Sequence, residues 1–506
     1  PLYSSAASDV YKRQIMRRLC LGDAADAVEM SAIESVPTIA GKPAENKKGI
    51  MMVDITVKNI LEATGGVLLC GDENTVLTDI CINSKEAKEG DLFVPIIGSR
   101  TDGHRFIESA LQVAAATLTS EHDNVVVSDK AYIRVDDTVK ALQAIGKYIR
   151  NRYDMPVVAV TGSVGKTTTR EMITAAVSAG MKCFHTEGNY NSVYGEPITV
   201  SRMTDEYDAA VLELGIGEPG EMDILTDIAQ PDICVVTTIG VAHIEYMGSL
   251  ENTRKEKLSI IKGMGKNGTL YINGDDPMLY AVKDEIPCKV YTYGCGEGMD
   301  FRATNIRMED GYSIYDMVHG DDVVTVKVGV MGLHNVRNSL VAMAVSHQLG
   351  VPYEKSSKAF ENFRGLRQKV IKLPGKYTII DDTYNASPDS MKASTDVLCD
   401  MKCEGRKYIV LGDMLELGDR SDEYHREVGE YLRDKKIDEV IVIGEHAQKI
   451  KEALDECDTK YAKTVSFTDT EEIAIYLMAL MKPEDIVLLK ASNGMNLSEV
   501  VNILTN

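Results

Sequence analysis

Residues 157–170 contain a glycine-rich turn between a predicted strand and a predicted helix. This pattern restricts the possible folds of the chain more than any other. The β-forming residues end at Thr161, and the chain then reads GSVGKTT before a helical segment. Such a corner presents backbone N–H groups and a helix N-terminus to an anion. The sequence therefore predicts an α/β fold that binds a nucleoside triphosphate.

The residue types in this turn suit a triphosphate. Glycines leave room for phosphates, a lysine can reach the β and γ oxygens, and a threonine hydroxyl can face Mg²⁺. The usual spacing asks for one more glycine, where this chain has Val160. The alternative is a strand-to-helix corner that holds no ligand. The candidate nucleotide-binding residues are Gly162, Ser163, Gly165, Lys166, Thr167 and Thr168, and Thr167 is also a metal candidate.

Size, charge and cysteine use narrow the classes of function. A chain of 506 residues is long enough for about three domains, each with its own core. The formal net charge of −22 argues against a nucleic-acid surface or an anionic membrane as partner. No apolar run is long enough to span a bilayer. The ten cysteines include no CxxC pair, so we expect a reducing cytoplasm rather than a zinc site or a disulfide scaffold.

Residues 1–50 stand apart from the rest of the chain. They begin PLYSSAASDVYKRQ, which looks like translated sequencing adapter, and the residues after it show no clear periodicity. We expect this segment to be a non-native or disordered extension, with the native start at Met51 or Met52.

The remaining pattern divides into three α/β domains. Residues 51–150 predict a small N-terminal α/β domain. Residues 151–364 alternate strands with helices after the phosphate loop and predict a central ATPase-type domain with a mainly parallel sheet. Residues 365–506 repeat that alternation and predict a C-terminal Rossmann-like domain.

Several individual elements are predicted within these domains. We expect a helix over residues 57–64, a buried strand over 114–119 and hairpins between 290 and 330. A helix over about 335–349 should end at a glycine followed by a proline. Ser387 followed by a proline is typical of a helix start.

Polar residues follow two neighbouring strands of the predicted central sheet. Ligands gather at the carboxyl ends of parallel strands, and we expect Glu213 at the end of one strand and His243 at the end of the next. A carboxylate at that level could hold Mg²⁺ beside the phosphates. The alternatives are an exposed strand-end acid and a histidine that only packs or forms hydrogen bonds.

A basic helix is predicted after His243, with Ser249 as its N-cap. The simplest interpretation is that the basic residues form a solvent-exposed face of the helix. The residue pattern does not indicate which of them, if any, has a functional role. The basic residues of this segment are Arg254, Lys255, Lys257 and Lys262.

Polar residues also follow two predicted strands of the third domain, in the segments DDTYNASP from Asp381 and GDMLELG from Gly412. Polar strand ends in a second parallel sheet suggest a binding surface that faces the first one. Two such surfaces on either side of a hinge suit the joining of two substrates, because closure excludes water. The alternative is ordinary turn chemistry.

In this order, these segments resemble the Mur ligase family from about Met52 to the C-terminus. DDTYNASP and LGDMLELG are the discriminating pair, since relatives that add the third peptide residue, or glutamate to folate, differ there. The motifs that carry the resemblance are DLFVPIIGSRTDGHRFI, TGSVGKTTT, GNYNSVYGEP, LELGIGEPGEM, NGDDP, GLHNVRNSL, DDTYNASPDSM, LGDMLELG and KASNGM.

The resemblance implies an ATP-dependent, ADP-forming amide ligase that uses Mg²⁺. Its implied substrates are UDP-N-acetylmuramoyl-tripeptide and D-alanyl-D-alanine, joined through an acyl phosphate during peptidoglycan precursor synthesis. The resemblance does not say whether the third peptide residue is lysine or diaminopimelate. We expect a cytoplasmic monomer with no nucleic-acid or membrane partner.

The resemblance also implies roles for individual residues. Lys166, Lys257 and His243 would be catalytic, and Lys257 matches a lysine that CO₂ converts into an anionic carbamate. Thr167, Glu213 and His243 would hold the metal. Further ATP contacts would come from Asn335, Asn338, Arg367 and Asp382, and substrate contacts from Ser84, Asn189, Asn191 and Asn385.

Several positions depart from the family pattern, among them Lys85 and Asn493, which stand where arginine is usual. A lysine keeps the charge but loses the bidentate fork of arginine. Two alternatives to the leading hypothesis remain. One is a sibling ligase that adds another amino acid or acts on folate, and the other is a nucleotide-binding scaffold that has lost catalysis.

Overall fold

The computed structural model describes residues 55–98, 101–121, 123, 125, 127, 129–365, 367–456 and 462–506. The predicted extension over residues 1–50 lies outside the described residues. The predicted fold class is confirmed: the chain forms α/β layers around three large sheets, most of whose strand pairs are parallel. The predicted domain boundaries stay predictions.

The N-terminal domain is built on a five-stranded sheet in the order β2-β7-β6-β5-β4, in which only β2 is antiparallel to its neighbour. Its strands are β1 (Ile55–Thr56), β2 (Val67–Cys70), β3 (Val76–Leu77), β4 (Asp79–Cys81), β5 (Asp91–Phe93), β6 (Ala116–Thr119) and β7 (Ala131–Arg134). Its helices are α1 (Val57–Thr64), α2 (Ile107–Ala110) and α3 (Thr138–Arg150). The predicted helix over residues 57–64 is confirmed, and the predicted strand over 114–119 begins two residues later, at Ala116.

The central domain has a nine-stranded sheet in the order β16-β15-β14-β13-β12-β11-β8-β10-β9. The pairs from β9 to β14 are parallel, and the predicted hairpins β14–β15 and β15–β16 extend the same sheet. Its strands are β8 (Val157–Thr161), β9 (Cys183–His185), β10 (Ala209–Glu213), β11 (Ile233–Val236), β12 (Thr269–Asn273), β13 (Lys289–Gly294), β14 (Phe301–Glu309), β15 (Tyr312–His319) and β16 (Asp322–Val328). Its helices are α4 (Lys166–Ser178), α5 (Gly195–Ser201), α6 (Glu221–Ala229), α7 (Ile244–Met247), α8 (Leu250–Leu258), α9 (Pro277–Tyr280), α10 (Leu333–Gln348) and α11 (Tyr353–Phe360).

Strand β8 lies at the centre of this sheet because both of its faces are apolar. Val158 and Val160 pack into the core beneath α4 and α10, whereas Val157 and Ala159 pack into the core on the opposite face. A parallel strand covered on both faces reads as a continuous apolar run. The run stops at Thr161, where the chain leaves the sheet.

The C-terminal domain has a six-stranded sheet in the order β17-β18-β22-β19-β20-β21, with only β17 antiparallel to its neighbour. Its strands are β17 (Lys369–Lys372), β18 (Thr378–Asp381), β19 (Lys407–Gly412), β20 (Glu439–Ile443), β21 (Lys463–Phe467) and β22 (Ile486–Lys490). Its helices are α12 (Pro388–Asp400), α13 (Ser421–Leu432), α14 (Gln448–Asp455), α15 (Thr470–Leu480) and α16 (Ser498–Thr505). Ser387 caps α12 as predicted, with the proline at the first helical position.

Short 3₁₀ segments complete the described secondary structure. They span Gly103–Phe106, Ser259–Gly263, Lys283–Glu285, Gly418–Arg420 and Asn493–Met495. Within the described ranges, no helix combines the length and the apolar character needed to cross a membrane.

The three domains contact one another through identifiable side chains. Val241 and Ile244 of the central domain pack into the apolar core of the C-terminal domain. Arg202, after α5, holds Asp79 of β4 through two hydrogen bonds of 3.0 and 2.8 Å. The end of α5 is therefore tied to the N-terminal domain.

Helix α5 contains a buried acid that no sequence pattern singled out. Glu196 is 1% exposed, and neither carboxylate oxygen has a hydrogen-bond partner among the described residues. Burial raises the pKa of Glu196 well above its ordinary value. The folded chain therefore keeps a proton that the unfolded chain releases, and the group lowers the stability of the fold as pH rises above 4.5.

Glu196→Gln should raise the free energy of unfolding at pH 8 by at least about 1 kcal/mol, because each unit of pKa elevation costs about 1.4 kcal/mol once the group would ionise. The difference should vanish near pH 4. Denaturant unfolding at several pH values measures it, with the exposed Glu206→Gln as the matched control. A gain of the same size at pH 4 and pH 8 would contradict this explanation.

Candidate functional site

A large cleft lies between the central and C-terminal domains, with a volume of about 1680 Å³. Its walls come from both sheets, at the ends where strands such as β8, β10 and β18 run into loops. The predicted residues on its surface are Ser163, Gly165, Lys166, Thr167, Thr168, Asn189, Asn191, Glu213, His243, Asn335, Asn338, Arg367, Asp382 and Asn385. Gly162, Lys257 and Ser84 are not among the described lining residues.

The phosphate loop has the predicted form, from the end of β8 at Thr161 to the start of α4 at Lys166. Gly162 and Gly165 have φ angles of 148° and 90°, which favour glycine. A Cβ atom at Gly162 would also collide with the hydroxyl of Thr237. Both glycines are therefore required by the backbone.

Lys166 lies in the loop with its ammonium group donating a hydrogen bond of 2.8 Å to the carbonyl of Gly162. Burial lowers the pKa of Lys166, nearby Glu213 opposes that shift, and Arg367 adds to it. A triphosphate would supply the negative charge that this buried ammonium lacks.

Glu213 ends β10 as predicted and meets the phosphate loop. Its Oε1 accepts hydrogen bonds from the Thr167 hydroxyl at 3.1 Å and from the Asn191 amide at 2.8 Å. Its Oε2 is buried without a hydrogen-bond partner among the described residues, 3.4 Å from Nε of Arg170. A buried carboxylate oxygen beside a threonine hydroxyl fits a hard divalent cation, which prefers oxygen ligands.

The predicted placement of His243 is wrong. Strand β11 ends at Val236, and His243 lies beyond it, at φ 58° immediately before α7. The chain leaves the sheet early because the next residues brace the phosphate loop. The Thr237 hydroxyl donates to the Val164 carbonyl at 2.6 Å, and the Thr238 carbonyl accepts from the Ser163 N–H at 2.8 Å.

His243 instead faces the C-terminal domain, with Nδ1 2.5 Å from Oε2 of Glu416. Burial lowers the pKa of His243, Lys166 and Lys257 lower it further, and Glu416 opposes them. Among the described residues no group of three or more histidines, cysteines or acids lies close enough to hold a metal. His243 and Glu213 both line the cleft, and their shared role at a metal stays a prediction.

Lys257 lies in α8 and is 2% exposed, which distinguishes it from the solvated basic face expected by default. Burial lowers its pKa well below the ordinary value, and nearby Lys166 adds to the effect. Its neighbour Lys255 is exposed. The residue pattern alone did not distinguish these two lysines, and the structure shows that Lys257 is the buried one of the pair.

Asn335 and Asn338, which the resemblance predicts as ATP contacts, lie on α10, and this helix begins two residues earlier than predicted. The Asn335 amide donates to the Met331 carbonyl at 2.7 Å, and Asn338 accepts from the Thr169 hydroxyl at 3.1 Å. Both asparagines are buried and line the cleft beside the phosphate loop.

The C-terminal wall brings together three predicted residues. The guanidinium of Arg367 lies 3.1 Å from the centre of the Tyr384 ring, Asp382 follows β18, and Asn385 lies in the same turn. Asp382 is paired with Lys490, which sequence reasoning missed. The sequence did contain a signal for this residue, because Lys490 is the one charged residue of the apolar strand IVLLK and stands at its carboxyl end.

Other candidates lie elsewhere in the structure or were missed. Ser84 lies between β4 and β5 of the N-terminal domain, and its substrate role stays a prediction.

Arg170 was not predicted, because nothing in the sequence shows that this helix position is buried. Arg170 is 1% exposed and lies between Glu171 and Glu213.

Three family models match the chain. The "Mur ligase family, catalytic domain" model matches residues 76–153, the "Mur ligase middle domain" model residues 160–346, and the "Mur ligase, glutamate ligase domain" model residues 366–493. A UDP-N-acetylmuramoyl-tripeptide–D-alanyl-D-alanine ligase of Bacillus subtilis (strain 168) is 34% identical over 90% of this chain and 99% of its own length. The chain belongs to the Mur ligase family.

Solved Mur ligase structures are similar over nearly the whole described chain. MurF from Acinetobacter baumannii has a TM-score of 0.79 at 28% identity and covers 89% of this chain and 98% of its own. MurF ligase from Thermotoga maritima, solved in complex with ADP, has a TM-score of 0.74 at 30% identity and covers 85% of this chain and 97% of its own. The phosphate loop lies within the matched middle domain of this Mur ligase.

Proposed function

We propose that this Mur ligase joins D-alanyl-D-alanine to UDP-N-acetylmuramoyl-tripeptide with conversion of ATP to ADP and phosphate. The observation that carries the proposal is the cleft. Lys166, Thr167 and Glu213 meet on its central wall, and Asp382 and Lys490 face them from the C-terminal wall. Such a cleft can hold a triphosphate between two domains while two further substrates meet, and the relatives' names supply the identity of those substrates.

The reaction balances in two steps. A carboxylate oxygen of the tripeptide attacks the γ-phosphorus of ATP, which forms an acyl phosphate and releases ADP. The amine of D-alanyl-D-alanine then attacks the acyl carbon, the amide bond forms, phosphate leaves and the amine loses a proton. Bound Mg²⁺ would neutralise phosphate charge, and Thr167 and Glu213 would hold it.

The chain's own residues bind and position these anions. Lys166 would move its ammonium from the Gly162 carbonyl to a phosphate oxygen, in a site where burial strengthens the attraction. Asn189 and Asn191 would position the tripeptide beside Glu213, and Arg367 would reach phosphate from the C-terminal wall. Closure of the two walls would exclude water from the acyl phosphate.

The substrates of the proposed reaction also indicate where in the cell the enzyme acts. ATP and a nucleotide-linked precursor are cytoplasmic metabolites, and the eight cysteines described are all free thiols. We propose a cytoplasmic enzyme that acts as a monomer, with small-molecule substrates and no nucleic-acid or membrane partner.

ADP release measured with each substrate omitted in turn tests the proposal. Full turnover should require both the UDP-linked tripeptide and D-alanyl-D-alanine, and mass spectrometry should show their amide product. Candidate UDP-peptides ending in lysine or diaminopimelate identify the third residue. Turnover with another amine or with folate in place of these substrates would contradict the proposal, as would ATP binding without any ligation.

A further inference from the structure

The second step of the proposed reaction needs a group that accepts protons. The α-amino group of a dipeptide has a pKa of about 8, so at neutral pH it arrives mostly as an ammonium ion. That nitrogen must lose one proton before it can attack the acyl carbon, and it must lose another after the attack. A carboxylate at the reacting end of the cleft can take such a proton.

Most of the acids that line the cleft are already held by other protein groups. Those with a hydrogen bond or ion pair to their side chain are Glu213, Asp275, Asp276, Asp310 and Asp382. The lining acids without such a partner among the described residues are Asp389 and Asp400, which stand near opposite ends of α12.

Asp389 faces the phosphate loop across the cleft. Its Oδ2 lies against Gly240, so closely that a Cβ atom added to Gly240 would be only 2.8 Å away. The Gly240 N–H in turn donates a hydrogen bond of 2.8 Å to the Ser163 hydroxyl. Because Ser163 belongs to the phosphate loop, the carboxylate lies next to the place where the proposed acyl phosphate would form.

The surroundings of Asp389 suit a group that exchanges protons. Its side chain is exposed to the cleft, so a substrate can reach it. Partial burial between the walls raises the pKa of its carboxyl, nearby Lys392 opposes that shift, and Asp276 and Glu427 add to it. Lys392 is itself paired with Glu427 at 3.6 Å. A carboxylate with a raised pKa and no paired cation accepts a proton more readily than an ordinary one.

We propose that Asp389 is a catalytic residue that binds the amino group of D-alanyl-D-alanine and takes its proton as the amide bond forms. The nitrogen lone pair forms the bond to the acyl carbon, the bond from that carbon to the phosphate oxygen breaks, and phosphate leaves with the electron pair. The proton moves from nitrogen to the Asp389 carboxylate and then to solvent. The inference rests on the proposed ligase reaction.

The two steps of the reaction, measured separately in Asp389→Asn, test this role. Its kcat/KM for D-alanyl-D-alanine should fall roughly 10²-fold at pH 7, the lower end of the range for a lost general base. Single-turnover formation of ADP from ATP and the UDP-linked tripeptide, without dipeptide, should not fall by more than about twofold, because no amine takes part in that step and the lost charge is negative. Asp400→Asn, at the other end of the same helix, is the matched control and should change neither.

The pH dependence separates a proton acceptor from a structural residue. The deficit of Asp389→Asn should shrink to less than about tenfold at pH 9, where solvent has already deprotonated most of the amine. Asp389→Glu keeps a carboxylate and should retain more activity than Asp389→Asn at pH 7. If Asp389→Asn does not fold, Asp389→Ser is read by the same criteria.

A deficit of the same size at pH 7 and pH 9, or an equal loss of ADP formation in the first step, would indicate a structural role and overturn the proposal. Unchanged kcat/KM for the dipeptide in Asp389→Asn would overturn it as well. If the unsubstituted protein formed no amide product, the proposed function itself would fail, and this inference with it.

Discussion

Lys166→Met is expected to lower kcat roughly 10²- to 10³-fold, because the substitution removes the ammonium group that the phosphate loop would place against the transferred phosphate. Removal of a single preorganised charge in a buried site has effects of this size. The fold should persist, since the ammonium is buried without a carboxylate within 4 Å among the described residues, and methionine avoids its desolvation cost. ADP release with all three substrates and the thermal unfolding midpoint measure the two effects.

The matched control for this variant is Lys182→Met, an exposed lysine of the same domain. It should retain kcat within about twofold, since exposed surface substitutions usually have small effects. If kcat of Lys166→Met stayed within about tenfold of that of the unsubstituted enzyme, the proposed role of the phosphate loop in phosphate transfer would be contradicted.

Lys257→Met is expected to lower kcat roughly 10²- to 10³-fold. Burial holds the pKa of Lys257 well below its ordinary value, so a larger share of the amine is neutral near pH 7. A neutral amine can attack CO₂, form a carbamate and release a proton. The resulting anion would lie near Lys166 and the metal candidates, and methionine cannot form it.

Two measurements separate this role from simple packing. With ¹³C-labelled bicarbonate, the unsubstituted enzyme should show a carbamate resonance that Lys257→Met lacks and that Lys255→Met, on the same helix, retains. Lys257→Met should also be more stable toward acid, because a lysine with a lowered pKa must take up a proton against burial as pH falls. Normal turnover by Lys257→Met, or a carbamate signal that survives the substitution, would contradict the assignment.

The phosphate loop was predictable because its geometry is local. Strand, turn and helix follow one another within residues 157–170, and the positive φ angles fall on glycines. Glu213 was predictable for a similar reason, since the apolar run of β10 ends in a carboxylate at the carboxyl edge of a parallel sheet. The family resemblance extended the predictions to residues whose roles no local pattern indicates.

His243 shows where local reasoning failed. The apolar pattern after Asp232 suggested a strand that ended near His243. The strand ends at Val236, and beyond it the Thr237 hydroxyl and the Thr238 carbonyl form hydrogen bonds with Val164 and Ser163 of the phosphate loop. Those bonds join residues more than seventy positions apart, and periodicity carries no information about such a pairing. The histidine therefore contacts Glu416 of another domain.

By itself, the sequence determined the α/β class, the phosphate loop, most strands and helices, and the family. These features depend on residue periodicity, turn chemistry and motif order, all of which can be read from the order of residues alone. The tertiary structure alone decided which lysine of α8 is buried, that Lys490 pairs with Asp382, and that His243 faces Glu416. Burial and ion pairing depend on distances between remote segments, and only the packed domains set those distances.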